Sequence, residues 1–412
     1  MILSRLSSLQ RNLTLADLGL AWIIFFSLNF PKAVPVGFML LLLSLFRKRN
    51  MTSVFPSKNE ILTHPITWFL IYYLLLVIGL IYSDNEEFGI VKLENKLTFL
   101  ILPLMWRNLI ISRSREQWKI IFIASVVISL SICELMALYS FTTNKLSTLE
   151  NVFFGQQFTL LHRGYFACYL IIASVFLLDI IKQKVDIKYI IVLFYIYIGV
   201  FQSASKVGVL CMILVLLVYI IYFIVKQRLK IGWLLLFGFA VGFLLIFTIE
   251  NPMKKRIEIA LSSDSNVPLK NNKSIESNAA RILMWNASLN VWKENFFIGT
   301  GTGDYNDELV AYNKSMNNLG VVKEELNSHN QFLNTAVQLG ILGLSVLVFI
   351  FISSYYHSER SISHVLILMV FLLNFLVESF LETQAGIVLF CTLILLIFIH
   401  DKEGKTSKLS SV

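Results

Sequence analysis

The sequence predicts an all-α polytopic membrane protein with about twelve transmembrane helices and one large loop lobe outside the cytoplasm. Three observations predict this fold class. Of the 412 residues, 56% are hydrophobic and only 15% are charged, whereas soluble domains carry about 25% charged residues. Apolar runs long enough to cross a bilayer recur along the chain, and lysine and arginine are unevenly distributed among the loops between them. This composition excludes an ordinary soluble enzyme and a disordered chain.

Twelve apolar runs are candidate spans. A helix needs about 20 mostly apolar residues to cross the hydrocarbon core, and shorter runs are tolerated where their ends are aromatic or cationic. The second and fourth runs are short, and 83–111 also fits an interfacial helix that leads into a span. No small-residue cleavage site follows the first run, which predicts a retained helix. The predicted spans are approximately 15–30, 33–46, 66–82, 97–111, 118–139, 164–181, 188–204, 207–225, 231–249, 332–355, 361–379 and 385–399.

The loop charges predict the orientation of these spans. With the N-terminus inside, 20 of the 35 lysines and arginines fall on the cytoplasmic side, six fall in short outer loops, and nine fall in one long outer segment. This bias places both termini in the cytoplasm. It also explains the net charge of +9 without nucleic acid as a partner. The predicted organisation is an N-terminal membrane bundle of about nine spans (1–249), an outer loop (250–331), and C-terminal spans with a short cytoplasmic tail (332–412).

The outer segment 250–331 is polar and long enough to form a small lobe. Its first part, SSDSNVPLKNNKSIESN, predicts a flexible loop. The next part, AARILMWNASLNVWKEN, places Trp285, Leu289 and Trp292 on one face of an amphipathic helix against the bilayer or the bundle. A glycine-rich run, IGTGTGDYND, then predicts a turn, because no strand precedes it and no Gly-Lys-Ser/Thr follows, as a phosphate-binding loop requires.

The predicted topology leaves two histidines, His162 and His329, on the outer side. His329 directly precedes a span that carries Gln338, Gly340 and Gly343. An imidazole, whose unperturbed pKa is near 6.5, suits a general base for a sugar hydroxyl near neutral pH. A histidine that only caps the helix at the membrane surface is the alternative, and the pattern alone leaves both open.

Three outer cations are candidates for binding an anion. Arg281 opens the amphipathic helix, and Arg163 stands beside His162 in LLHRGYFACYL; each either snorkels to the membrane surface or binds a phosphate with its planar guanidinium. Lys206 lies in FQSASKVGVL, in a tight outer turn where the charge bias disfavours a cation. Contact with an anion would explain it.

Two outer carboxylates, Glu378 and Glu382, stand four residues apart in NFLVESFLETQAG near the end of a span. Carboxylates there tend to be paired, so ion pairs with the outer cations and direct catalysis both remain open. The four cysteines all lie in apolar runs without paired spacing, which indicates neither a disulfide framework nor a zinc site. No metal and no cofactor are predicted.

The stretch from Arg281 to Gly343 resembles the O-antigen ligase and polymerase superfamily of bacterial envelope glycosyltransferases. The resemblance is carried by R-x3-W, the GTGTGDY turn and SHNQFL followed by QLGILGL, with looser matches at LHRGY, SASKVG and ES-x2-E. It implies a metal-independent, inverting glycosyltransferase in the bacterial inner membrane whose active site faces the periplasm, so that the outer loop is periplasmic. The implied donor is a glycan on undecaprenyl diphosphate, and the implied acceptor is a lipid A-core sugar or a growing glycan in the presence of membrane lipid.

The resemblance also assigns residues. It implies that His329 and Arg281 are catalytic, and that His162, Arg163, Lys206, Glu378 and Glu382 bind the diphosphate or the substrate. Relatives commonly carry Ser-Arg where this chain has Ser205-Lys206, and His-Pro where it has His162-Arg163. Arg163 is therefore expected to replace the missing guanidinium.

Three functions remain open on the sequence. The first is an O-antigen ligase, and the second is an O-antigen polymerase that uses the same donor. The third is a transporter or flippase of lipid-linked glycans, which should show repeat symmetry and ionisable groups near the bilayer midplane. The predicted polar groups cluster at the outer helix ends instead, which favours the enzyme.

Overall fold

The computed structural model describes residues 13–46, 61–109, 111–143, 152–155, 158–248, 254, 277–324, 326–358 and 360–399. All regular structure in these ranges is helical. The helices are α1 Leu15–Asn29, α2 Val34–Leu45, α3 Pro65–Ile81, α4 Glu86–Asn95, α5 Thr98–Met105, α6 Arg115–Thr143, α7 Arg163–Gln183, α8 Ile187–Gln202, α9 Lys206–Val225, α10 Leu229–Thr248, α11 Ser277–Glu294, α12 Tyr305–Ser315, α13 Leu319–Lys323, α14 Gln331–His357, α15 Ile362–Val377 and α16 Gln384–Cys391, which continues as a π-helix over Thr392–Ile399.

The predicted multi-pass helical membrane architecture is confirmed in its general form. Four helices, α6, α7, α9 and α14, are long and apolar enough to cross a membrane. Shorter apolar helices occupy seven other predicted spans, namely Leu15–Asn29, Pro31–Leu45, Pro65–Ile81, Ile187–Gln202, Leu229–Gly238, Ile362–Val377 and Gln384–Leu395. The total of twelve crossings stays a prediction.

The run 97–111 does not form one helix of span length. Helix α5 has eight residues with Pro103 inside it, and a short 3-10 turn, Trp106–Asn108, follows. The preceding segment forms a separate helix, α4. The prediction differed here because hydropathy measures how apolar a run is and does not locate helix ends; α4 ends at Asn95, and Lys96 follows it with φ −92° and ψ 7°.

Helix α7 is the centre of the bundle. Almost every residue from Gly164 to Ile181 is buried, and the helix packs against α6, α8, α9 and α15. A helix that is apolar on all sides belongs inside a bundle. The buried Tyr169 hydroxyl is polar, and it lies within hydrogen-bond distance of Ser27 Oγ at 2.9 Å and of the Ala385 carbonyl oxygen at 3.1 Å.

Helix ends meet in two separate groups at opposite ends of the bundle. At one end, the start of α3 contacts the end of α14 through the His64 and His357 rings, whose centroids are 4.8 Å apart, and Lys119 of α6 pairs with Asp179 of α7. At the other end, the starts of α7, α9 and α14 lie near the end of α15. All histidines and arginines predicted for the site lie at this second end or on the adjacent lobe.

The lobe, residues 277–324, contains the predicted amphipathic helix as α11. Its packing face is made of small residues and Met284, and it contacts α12, α13 and α14. The predicted face with Trp285, Leu289 and Trp292 lies on the other side of the helix and is partly exposed. The prediction allowed this face to lie against the bilayer or the bundle, and bilayer contact stays a prediction. The predicted flexible loop lies almost entirely outside the described residues.

Helix α14 is interrupted at Gly340, which has φ +63° and ψ −160°. A Cβ at this glycine would lie 2.3 Å from the backbone of Phe297. The segment 296–301 pairs with the interruption: Thr300 N–H donates to the Val337 carbonyl oxygen at 2.8 Å, and Ile341 N–H donates to that of Phe296 at 2.8 Å. The glycine-rich turn of the lobe therefore reaches into the bundle and supplies hydrogen bonds that a continuous helix would make internally.

Candidate active site

His329 is held just before the first turn of α14. Its φ of +45° is in the left-handed region, which residues other than glycine adopt only when the surroundings impose it. Its N–H donates to Asn327 Oδ1 at 2.9 Å, and its carbonyl oxygen accepts from Trp285 Nε1 at 3.4 Å. Asn330 then caps α14 by accepting from the N–H groups of Phe332 and Leu333. The backbone of His329 is thus fixed from both sides.

Glu378 joins His329 to Arg281. Its Oε2 lies 3.4 Å from His329 Nδ1, and its Oε1 accepts from Arg281 Nη2 at 2.7 Å. Arg281 Nε also donates to the Val377 carbonyl oxygen at 3.1 Å. The side chains are 25% exposed for His329, 19% for Arg281 and 10% for Glu378, so the histidine and the arginine remain accessible while the carboxylate between them is nearly covered.

A cavity of about 370 Å³ opens beside this trio, and we call it the cationic cavity. Arg281 and Glu378 line it together with Arg163 and Lys206, which come from the starts of α7 and α9. His162 also lies on its wall. Six of the seven predicted site residues are therefore in one place, either in the wall or, for His329, in contact with it.

Helix termini add to the positive potential of the cationic cavity. Arg163 and Lys206 are the first residues of α7 and α9, and a helix N-terminus carries a partial positive charge and unpaired N–H groups. Ser205 uses its hydroxyl to cap α9 by accepting from Gly208 N–H at 3.2 Å. The preceding Ala204 has φ +49°, which forms the tight turn that brings Lys206 to the cavity.

The Glu378 carboxylate is ionised in this environment. Burial opposes its ionisation, but the hydrogen bond with His329 and the charge of Arg281 outweigh burial and hold the pKa of Glu378 below its ordinary value. Among the described residues that line the cavity, three cations and one carboxylate give a net charge of about +2 when the histidines are neutral. The arrangement suits a ligand with two negative charges.

Glu382 does not belong to the cationic cavity. It forms ion pairs with Lys96 at 2.6 Å and Lys92 at 3.0 Å, and it accepts hydrogen bonds from Tyr305 and Asn334. We call these five residues the sealed cluster. The Glu382 side chain is only 4% exposed and that of Lys96 only 1%. Burial opposes its ionisation, but the two lysines outweigh burial and lower the pKa of Glu382 to about 2.

The glycine-rich turn forms no phosphate-binding loop. Thr302 Oγ1 donates to the Leu76 carbonyl oxygen at 2.7 Å, and Gly303 N–H donates to Ser83 Oγ at 2.9 Å. The Asp304 carboxylate accepts from the N–H groups of Asp84 and Asn85, each at 2.8 Å. These contacts attach the turn to the end of α3, as the prediction of a structural turn requires.

In the part of the chain that the structure describes, no group of three or more His, Cys, Asp or Glu side chains could hold a metal ion. All four cysteines are free and buried. The ionisable groups around the cationic cavity are instead dominated by arginine and lysine, whose side chains bind anions.

Sequence reasoning missed the sealed cluster and the role of Asn330. In the sequence, Lys92 and Lys96 are recognisable only as outer-loop cations. The sequence did contain a sign of a buried polar cluster, because α14 carries a polar face at helical spacing, formed by Gln331, Asn334, Thr335 and Gln338. A polar stripe in an apolar helix predicts buried polar partners. Asn330 was visible as a helix-capping residue type, but its contact with the Leu376 carbonyl oxygen at 3.1 Å depends on the tertiary fold.

The comparison with known families agrees with this geometry. A family model described as O-antigen ligase matches residues 190–348. The resemblance to the O-antigen ligase family is confirmed over this segment. The O-antigen ligase match includes Lys206, Arg281 and His329, whereas His162, Arg163 and Glu378 lie outside it. No curated protein matches the chain.

The O-antigen ligase match associates residues 190–348 with a family of glycosyltransferase-like membrane enzymes. The cationic cavity is lined by residues from inside the matched segment, such as Lys206 and Arg281, and by residues from outside it, such as Arg163 and Glu378. This convergence makes the cationic cavity the candidate active site.

Proposed function

We propose that this protein is an O-antigen ligase that transfers a glycan from undecaprenyl diphosphate to a hydroxyl of a lipid A-core sugar, by a metal-independent mechanism that inverts the anomeric carbon. The observation that supports it most directly is the contact of His329 and Arg281 with one carboxylate at the edge of a cavity that also contains Arg163 and Lys206. A general base and a binding site for two phosphates are thereby adjacent.

The charge of the cationic cavity fits the donor in this reaction. A diphosphate that links a lipid to a sugar carries two negative charges, which balance the net charge of the wall. When the bond from the anomeric carbon to the phosphate oxygen breaks, its electron pair stays on the leaving lipid diphosphate, which gains a further negative charge. Arg163, Lys206 and Arg281 stabilise that charge as it develops, which lowers the barrier.

His329 accepts the proton of the attacking hydroxyl. The acceptor oxygen forms a bond to the anomeric carbon from the side opposite the diphosphate, so the configuration inverts. The imidazole takes the proton from this oxygen as the bond forms, which is the usual task of a histidine general base. Its partial exposure of 25% allows a sugar hydroxyl to reach the ring.

Apolar residues form the remaining wall of the cationic cavity and suit the lipid part of the donor. They are Val207, Ile282, Trp285 and Val377. Ile282 is 43% exposed. An isoprenoid chain that leaves the cavity along α11 meets an apolar surface there, which favours its transfer out of water.

A polymerase would use the same donor and differ only in its acceptor, so the test must separate the acceptors. Purified protein is given a glycan on undecaprenyl diphosphate with either lipid A-core or a second lipid-linked glycan. Transfer to lipid A-core is expected. Transfer only to the second glycan would establish a polymerase, and no transfer with either acceptor would contradict the proposal. A deletion strain gives a parallel readout: loss of the whole lipopolysaccharide ladder with free carrier-linked glycan indicates a ligase, and a single-repeat band indicates a polymerase.

We further propose that the protein lies in the bacterial inner membrane with the cationic cavity and the lobe facing the periplasm. A cysteine at Ser315, which is exposed on the lobe, should react with a membrane-impermeant thiol reagent in cells whose outer membrane is permeabilised. A cysteine at Lys184, exposed at the opposite end of the bundle, should react only after the inner membrane is opened. The native cysteines are buried and give a low background. The reverse pattern would overturn the orientation.

A further inference from the structure

Glu378 is an unfavourable residue for a site that binds an anion. It stands at the C-terminal end of α15, where the helix dipole disfavours negative charge. It is buried, and its charge opposes the binding of any phosphate in the cationic cavity next to it. A glutamine would have nearly the same shape without this charge, so the carboxylate must contribute something that outweighs these costs.

The contacts of Glu378 indicate what it contributes. Each oxygen has its own partner: Oε1 accepts from Arg281 Nη2, and Oε2 faces His329 Nδ1. A carboxylate accepts hydrogen bonds only, so the contact with His329 requires the proton on Nδ1. The lone pair of the neutral ring is then on Nε2, which is the nitrogen that can accept a proton.

We propose that Glu378 is the positioning residue of the transfer reaction: it fixes His329 in the tautomer with a basic Nε2 and stabilises the imidazolium after proton transfer. This inference rests on the proposed function, in which His329 is the base. The carboxylate acts through the histidine and does not itself touch the substrate.

The same carboxylate also sets the strength of donor binding. Arg281 is anchored twice, by Nε on the Val377 carbonyl oxygen and by Nη2 on Glu378. The anchor on the backbone persists when Nη2 turns to a phosphate oxygen. Glu378 therefore competes with the donor for the outer part of the guanidinium, and removal of its charge strengthens diphosphate binding.

Other charged groups also face His329. Glu378 comes from α15, Arg281 comes from α11, and the His162 ring at the start of α7 lies close enough to interact electrostatically with both His329 and Glu378. Arg163 and Lys206 contribute to the same cavity. Among these groups, Glu378 carries the only negative charge that the structure places in contact with the His329 ring.

Removal of the Glu378 charge should leave the fold intact. The backbone just before Glu378 is held independently of its side chain, because Asn330 Nδ2 donates to the Leu376 carbonyl oxygen at 3.1 Å and Arg281 Nε donates to that of Val377. Glu378→Gln retains the shape and an amide oxygen that can accept from Nδ1. This substitution therefore tests charge and orientation rather than packing.

The experiment measures kcat, donor affinity and thermal unfolding for Glu378→Gln, His329→Ala and the double variant, with Glu308→Gln on the exposed face of α12 as the matched control. Glu378→Gln should lower kcat by about 10- to 100-fold, as removal of a group that orients another commonly does. It should also bind the donor several-fold more tightly. In the His329→Ala background, the same substitution should lower kcat by less than about twofold, because residues that act as a unit are not additive.

Two results would overturn the inference. One is an equal loss of kcat with and without His329, which would show that Glu378 does not act through the histidine. The other is weaker donor binding in proportion to the loss of rate, which would assign Glu378 a structural role. Failure of the proposed function is distinguishable, because then the unmodified protein itself transfers no glycan from the diphosphate donor.

Discussion

Glu378 and Glu382 are four residues apart and both pair with cations, yet they lie in opposite environments. Glu378 contacts Arg281 and His329 at the edge of the cationic cavity. Glu382 contacts Lys92 and Lys96 inside the sealed cluster, where Tyr305 and Asn334 complete its hydrogen bonds. Arg281 lines an open cavity, whereas Lys96 is almost fully buried and Lys92, whose side chain is 18% exposed, pairs with Glu382.

The difference teaches that charge alone does not identify a functional site in this protein. In the sealed cluster, each oxygen of Glu382 accepts two hydrogen bonds from protein groups, so the cluster's carboxylate is fully satisfied without a ligand. In the cationic cavity, the wall has a net positive charge and space of about 370 Å³ beside it. The sealed cluster stabilises the junction between the lobe and the bundle, whereas the cationic cavity is suited to binding a ligand.

The largest expected effect is on the rate of His329→Ala. The substitution should lower glycan transfer by about two to four orders of magnitude while donor affinity and unfolding temperature stay close to those of the unmodified protein, because it removes only the general base. Transfer by membranes with equal expression is the measurement. A near-normal rate would mean that His329 only precedes the residue that caps α14. The cationic cavity would then have no assigned general base.

In the sealed cluster, Glu382→Ala should instead act on stability. It leaves the buried Lys96 without its carboxylate, which costs about 3–5 kcal/mol when a buried ion pair loses one partner. The measurement is the unfolding temperature in detergent. Replacement of both charges, Lys96→Met with Glu382→Leu, should recover a large part of the loss. An unchanged unfolding temperature in the single variant would show that the cluster is not an anchor.

Arg281→Ala should weaken donor binding and also slow transfer, by roughly 10- to 100-fold in each, because a charge-assisted contact with the diphosphate is lost. Arg281→Lys should recover only part, since the charge remains but the planar fork does not. Donor affinity and rate are measured for both. A loss confined to stability would place Arg281 with the residues of the sealed cluster instead.

A smaller effect is expected from acid on the sealed cluster. The pKa of Glu382 is about 2 in the folded protein, whereas the ordinary value for a glutamate is 4.5. Because the folded value is the lower one, this carboxylate stabilises the fold fully above about pH 5, and the contribution decreases as the pH falls from about 4.5 towards 2. Glu382→Gln should flatten the decline in unfolding temperature over this range. An equally steep decline in the variant would assign it to other groups.

The smallest expected effect is that of a chelator. If Arg163, Lys206 and Arg281 stabilise the leaving diphosphate, transfer by the purified protein should be the same with EDTA as with added magnesium. Loss of transfer with EDTA and recovery with magnesium would require a metal at the diphosphate and would contradict the proposed mechanism.

The sequence predicted the elements whose signal is local. Apolar runs located most helices, and the amphipathic pattern after 278 located α11 within one or two residues. Counting loop charges predicted an outer position for five residues, His162, Arg163, Lys206, Arg281 and His329. The structure brings these residues from distant parts of the chain together at one end of the bundle. Family resemblance then supplied their roles.

The features that sequence could not predict depend on contacts between distant segments. The separation of Glu382 from Glu378 follows from the short 3-10 turn Phe380–Glu382, which directs the second carboxylate towards Lys92 and Lys96. The sequence showed only that the two carboxylates stand four residues apart near the end of a span. The division of α4 from α5 likewise falls at Lys96, which is fully buried, and no hydropathy window resolves it.

The interruption of α14 at Gly340 has a consequence for biosynthesis. The segment 296–301, whose backbone completes the interrupted helix, is translated before α14 and belongs to the lobe. In the membrane interior an unpaired peptide group is costly, so we expect the second half of α14 to reach its final structure only once the lobe has docked. Membrane assembly of this late helix should then depend on maturation of the domain that holds Arg281.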